Sequence, residues 1–280
     1  MSSTQSGDVV NTPSSAVPST APAALPPPRR FMPRTALTLI LAVGLPTALV
    51  FGLYPKLDLA ISALFYDRPA HNWPVTRNDL LILHRDLSAY LATILVIIAI
   101  GAIAIGAIRR RRPALMSWRA AGFLMGSLLL GPGLIVNVLL KPEWGRPRPA
   151  DVIEFGGKLH FVPWWNPFGE CDGNCSFVSG EVSAAFWMLA FAIVLPQRYR
   201  AIAIAAALIN CAVLGAGRIA MGGHFASDVL FAVILTALAM WLVHRVAFAD
   251  LALFRRPAPP TAQHPANGGI GPRAPLSRNA

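Results

Sequence analysis

Apolar runs long enough to cross a bilayer dominate this chain and restrict what it can become. They occupy 36–54, 87–108, 120–140, 179–195, 201–216 and 225–243, and each is closed by charged or turn-forming residues. In hydrocarbon every backbone N–H and C=O must be satisfied within its own segment, so runs of this kind form helices. The sequence therefore predicts an all-α polytopic membrane protein with six transmembrane helices. Of the 280 residues, 55% are hydrophobic and only 13% charged, and the mean hydropathy of +0.53 is far above that of a soluble domain this long. The net charge of +11 does not point to nucleic acid. The arginines cluster beside apolar runs, and no aromatic-interleaved basic patch or zinc-finger spacing occurs.

Those arginines set the orientation. Arg29, Arg30 and Arg34 precede the first run and Arg109, Arg110, Arg111 and Arg112 end the second, which predicts cytoplasmic positions for both groups. The run after Arg29 and Arg30 is too long for a cleaved export signal and lacks a small-residue cleavage site, so it reads as a signal anchor. Alternation then carries Lys141 outward, returns the chain at the basic turn 196–200, places Arg218 outside and brings His244 and Arg245 back inside. Both termini are predicted to be cytoplasmic. Residues 1–33 and 251–280 carry Pro, Ser, Ala and Gly without an apolar period and read as disordered tails flanking a six-span domain at 34–250.

Between spans, 55–85 reads as a loop whose amphipathic piece, 57–65, lies along the interface. Pro132 between two glycines predicts a kink. Phe161, Trp164, Trp165 and Phe168 read as an interfacial aromatic belt. Cys171 and Cys175 leave two outcomes open, a local disulfide in an oxidising compartment or two free thiols, whereas Cys211 reads as a small core hydrophobe.

Three polar stretches interrupt the runs, and the topology puts all of them on the outer face. In the first, Lys141, Arg146 and Arg148 place three cations in eight residues, with prolines keeping the segment out of a helix, as a phosphate cradle would require. In the second, Ser179 and Gly180 open an apolar run, so the hydroxyl and the following N–H groups sit at a helix N-terminus suited to an anion. In the third, Arg218 is followed by His224 and Asp228, four residues apart. If the chain is helical from Gly223 onward, the carboxylate reaches the imidazole, fixes its tautomer and leaves the other nitrogen free to attack. Arg218 completes an anion clamp.

In these stretches the chain resembles the type 2 phosphatidic acid phosphatase superfamily, which has a six-helix membrane core. Its first signature, a Lys six residues before Arg-Pro, is matched by Lys141, Arg148 and Pro149. Pro-Ser-Gly-His is matched by Ser179 and Gly180. Ser-Arg, five residues, His, three residues and Asp is matched by Arg218, His224 and Asp228. The resemblance implies a phosphatase in which His224 attacks phosphorus to give a phosphohistidine and Asp228 orients it. Lys141, Arg148, Arg218, Ser179 and Gly180 would hold the phosphoryl oxygens. It implies no metal and no other cofactor, a membrane lipid phosphate as substrate, and no nucleic-acid partner.

Val178, Gly217 and Glu181 depart from the signatures. Glu181 stands where the family has its general-acid histidine. It donates a proton only if its carboxyl is held protonated, and cations beside it oppose that, so acid and counter-charge are both open roles. Leu57-Asp58-Leu59, Phe65-Tyr66-Asp67 and the Cys-Ser-Phe-Val-Ser-Gly-Glu stretch are similar to the bacterial lipid A phosphatases. That similarity implies a bacterial inner membrane with the site facing the periplasm. Other lipid phosphates or diphosphates, transfer to a second lipid, and a lipid-binding pseudo-enzyme are the competing readings.

Overall fold

A computed structural model describes residues 35–108 and 117–248. The two tails, Arg29, Arg30, Arg34 and the arginines at 109–112 lie outside the described residues, and so do the expectations placed on them. Regular structure among the described residues is helical, with only two isolated bridges, Asp67 to Asn72 and Val152 to Leu159. The helices are α1 Ala36–Leu53, α2 Lys56–Ala63, α3 Asp79–Ile108, α4 Trp118–Glu143, α5 Gly180–Val194, α6 Gln197–Ala220 and α7 Ala226–Phe248. Five of them, α1, α3, α4, α6 and α7, are long and apolar enough to cross a membrane. The chain is a polytopic membrane protein.

The fourth expected span is α5, whose 15 residues rise only about 22 Å against a hydrocarbon thickness of about 30 Å. It lies inside the bundle, with Trp187 and Ala190 fully buried. Polar pins fix it there. Ser183 and Thr236 share a 2.6 Å hydrogen bond between α5 and α7, and the Trp187 indole N–H donates to the Leu124 carbonyl of α4 at 3.1 Å. Half of the most apolar window of α7 is buried, against 11% for α1. Helix α7 is therefore the central one, packed on α1, α4 and α5. Close approach depends on glycine at one crossing, because a Cβ on Gly215 of α6 would lie 2.8 Å from Val229 of α7.

Local chemistry moved two sequence-drawn boundaries. Helix α3 begins at Asp79 and not near 87, because Asn78 accepts the Leu81 N–H at 3.1 Å as an N-cap and Asp79 suits the first turn. That brings Arg85 onto a helix. In α4 the disturbance expected at Pro132 takes the form of a π-helical stretch, Leu129–Leu140. Proline removes a donor, and the Asn137 side chain donates to the Pro132 carbonyl at 2.7 Å.

The aromatic group of the outer loop divides. Trp165 and Phe168 are exposed. Phe161 turns inward onto Phe225, with ring centroids 5.2 Å apart, and Trp164 onto Phe231 at 4.3 Å. The belt reading therefore holds for at most two of the four. Cys171 and Cys175 are joined in a disulfide.

Candidate active site

The ends of α4, α5, α6 and α7 that carry the three polar stretches meet at one end of the bundle. Backbone hydrogen bonds join them: Ser176 N–H to the Arg146 carbonyl (2.8 Å), Ala150 N–H to Gly222 (3.0 Å) and Gly223 N–H to Arg218 (2.9 Å). Ser179 is the N-cap of α5, its hydroxyl accepting the Val182 N–H at 3.4 Å, as the sequence predicts. The absence of a side chain at Gly180 leaves room for two neighbours, since a Cβ there would lie 3.1 Å from Asn137 Oδ1 and 3.3 Å from Lys141 Cε.

His224 is 2% exposed, and its Nδ1 is 2.8 Å from the Ser176 carbonyl. A carbonyl only accepts, so Nδ1 carries the proton and Nε2 keeps its lone pair. Burial, reinforced by the positive charges of Arg218, Arg148 and Lys141, holds the imidazole pKa well below its usual value against the opposing Ser176 hydrogen bond. A neutral imidazole with a free Nε2 lone pair and cations around it has the chemistry a phosphoryl acceptor would need.

Asp228 does not hold this ring, which corrects the sequence expectation. Helix α7 starts at Ala226, and Gly222 turns the chain at φ 68°, so His224 lies in a loop and helical i, i+4 geometry does not apply. Asp228 instead caps the helix start, accepting the Phe225 N–H at 2.8 Å, and accepts the Ser176 hydroxyl at 2.5 Å. Its hold on His224 passes through Ser176, whose carbonyl takes the ring N–H. Asp228 is thus linked to the ring only at one remove.

The other partner of Asp228 is Arg146, which the sequence reading counted only as one of three cations. Arg146 is fully buried. It donates to Asp228 at 2.5 Å, Ser227 Oγ at 2.8 Å, Asp58 at 2.8 Å and the Val162 carbonyl at 3.0 Å. Its guanidinium lies 4.5 Å from the Phe225 ring centre. Asp58, on α2, also accepts the Ser227 N–H (2.9 Å) and hydroxyl (2.6 Å). The signal for Asp58 was an acid among leucines in an amphipathic piece.

Two further residues shape the cation cluster. Asn174 sits inside the disulfide-closed turn with φ 46°; its side chain accepts from Lys141 Nζ at 2.9 Å and its carbonyl from Arg148 at 2.9 Å. Arg85 meets Glu181, with Nη2 to Oε1 at 2.9 Å. The other carboxylate oxygen lies 3.3 Å from Arg218 Nε, an ion-pair distance without hydrogen-bond geometry, since both atoms lack a hydrogen-bond partner. Glu181 is thus among the cations, as expected, with Arg85 added. An open cleft of about 610 Å³ runs alongside, lined by Arg85, Arg148, Arg218, Asn174 and Gly223.

The lowered His224 pKa has two consequences of one sign. The native state binds fewer protons here than the unfolded chain, so this residue favours folding above about pH 6.5 and destabilises it as pH falls through that value. The activity profile should keep its nucleophile neutral to lower pH still. With the substrate's own ionisation near pH ~6 divided out, kcat/KM should show no acid limb at or above ~6.5; a limb there would mean an ordinary, solvated imidazole.

The model of the PAP2 superfamily matches residues 120–251; Asp58 and Arg85 precede that segment. Over 204 residues, 71% of this chain and 89% of the relative, the sequence is 34% identical to a lipid A 4′-phosphatase of Francisella tularensis subsp. novicida. It is 43% identical over 128 residues to a lipid A 4′-phosphatase of Rhizobium leguminosarum, covering 45% of this chain and 51% of that one. No solved structure matches the chain.

Proposed function

We propose, because this chain belongs to the PAP2 superfamily and within it to the lipid A phosphatase subgroup of phosphoric monoester hydrolases, that it removes the 4′-phosphate of lipid A without a metal, through a phosphohistidine on His224. The observation that carries this reading is a buried imidazole with Nδ1 held by the Ser176 carbonyl beside the positive charges of Lys141, Arg148 and Arg218. Nε2 attacks phosphorus, the P–O bond to the sugar breaks, and the departing oxygen takes a proton from cleft water. A second attack by water or hydroxide breaks the P–N bond, frees inorganic phosphate and restores neutral His224. The net reaction consumes one water. The cations hold the equatorial oxygens, which is the stabilisation phosphoryl transfer chiefly needs.

Glu181 acts as counter-charge in this scheme, since its carboxylate faces two guanidiniums. Two features support an inner-membrane protein with the site facing the periplasm. The disulfide lies at the site, and disulfides persist in oxidising compartments. Arg119, Arg198, Arg200 and Arg245 mark the opposite helix ends, as positive-inside topology requires of the cytoplasmic face.

Purified protein given lipid A bisphosphate with EDTA present should release inorganic phosphate and leave lipid lacking the 4′-phosphate, read by mass spectrometry. Phosphate appearing on a second lipid instead would establish transfer. Tight lipid binding with no turnover on any lipid phosphate would establish a pseudo-enzyme.

A further inference from the structure

Arg85 is the one member of the cation cluster contributed from before the superfamily match. It reaches the cleft from α3, with its side chain 44% exposed. Its contact is not with a phosphate-holding group but with Glu181, to which it gives an Nε–H bond of 3.0 Å and an Nη2 contact of 2.9 Å on the same oxygen. The second Glu181 oxygen faces Arg218 Nε at 3.3 Å, and neither atom of that pair has a hydrogen-bond partner. One carboxylate is thus held firmly by Arg85 and loosely by Arg218. A loosely held carboxylate beside a guanidinium is what an incoming phosphoryl group can replace, because each presents two anionic oxygens to the same fork of donors.

We infer that Arg85 is a positioning residue: it retains Glu181 at the cleft wall so that Arg218 can exchange this internal carboxylate for the substrate's phosphate. The inference rests on the phosphatase reading above. Without Arg85, the nearest guanidinium left to Glu181 is Arg218, which the carboxylate would take in full, and phosphate would have to compete with it. Without the Glu181 charge, nothing competes, whether or not Arg85 is present. Lys141 and Arg148 are bound to Asn174, apart from this exchange.

The probe is inorganic phosphate, the product, read as its inhibition constant and by its protection against thermal unfolding in detergent. Arg85→Ala should bind phosphate roughly tenfold more weakly, the loss expected when one charge-assisted contact must be broken first, and should raise KM more than it lowers kcat. Glu181→Gln should bind phosphate at least as tightly as wild type, and the double variant Arg85→Ala/Glu181→Gln should recover wild-type affinity. Arg85→Lys should fall between, because an ammonium keeps the charge but not the fork. A defect of Arg85→Ala that persists undiminished in the Glu181→Gln background would overturn the inference and make Arg85 a direct substrate contact. Weaker phosphate binding by Glu181→Gln than by wild type would also overturn it, since Glu181 would then not compete with phosphate for Arg218. If wild type releases phosphate from lipid A bisphosphate but Arg85→Ala leaves the inhibition constant unmoved, this inference falls and the phosphatase reading stands; if wild type releases none from any lipid phosphate, the phosphatase reading falls as well.

Discussion

His224→Ala should reduce phosphate release by ~10⁴-fold or more, the scale of loss when a covalent nucleophile is removed and only binding and charge stabilisation remain. The residue is nearly fully buried, so a fall in activity has to be separated from a fall in folding. His224→Gln, which keeps volume and an N–H for the Ser176 carbonyl, serves that purpose. Both variants should bind phosphate, and neither should turn over. Asp228→Asn should act differently: the bonds from Ser176 and Phe225 need one good acceptor, so the ring is still held, but Arg146 loses an ion pair. Turnover in His224→Gln within tenfold of wild type would remove His224 from the chemistry.

Arg146→Ala should be the most damaging change to the fold. The guanidinium is fully buried between Asp58 and Asp228, and deleting it leaves two carboxylates in a dry site with no cation between them. Breaking a buried pair from one side costs about 3–5 kcal/mol, a large part of the stability of an ordinary domain. Folded yield and thermal stability in detergent should collapse, and activity with them. Arg146→Lys should rescue little, since one ammonium cannot reach Asp58, Asp228, Ser227 and the Val162 carbonyl together. Arg146→Met combined with Asp58→Asn and Asp228→Asn should recover stability without recovering activity, because no charge is then stranded. If Arg146→Ala alone is as stable as wild type, the buried network does not organise this end of the bundle.

That network marks how far the sequence could be read. The apolar runs fixed the helices that cross the membrane, since a backbone in hydrocarbon has few choices, and charge placement brought Lys141, Arg148, Ser179, Arg218 and His224 to one end. Arg146 differs from Arg148 only in being buried, which no spacing of cations reveals. Asp58 lies 88 positions from Arg146, and Arg85 lies 96 from Glu181; only tertiary packing unites such pairs. The His224–Asp228 spacing misled for a local reason. Four residues mean a shared face only inside a helix, and the left-handed Gly222 delays the helix until His224 has been passed. The carboxylate then serves the histidine through a backbone carbonyl, a link invisible in side-chain identities. The short α5 shows the same limit, because an apolar run of its length suits a span or a buried core helix equally.

A covalent phosphoryl bond to His224 can be trapped by brief exposure of the purified enzyme to lipid A labelled with ³²P at the 4′ position, followed by denaturing quench. Label on the protein should survive alkali, be lost in mild acid as a phosphoramidate is, map to the peptide containing His224 and be absent from His224→Gln. Label that is stable to acid, or that maps to Ser179 or Ser176, would contradict it, as would rapid turnover with no labelled protein at any quench time.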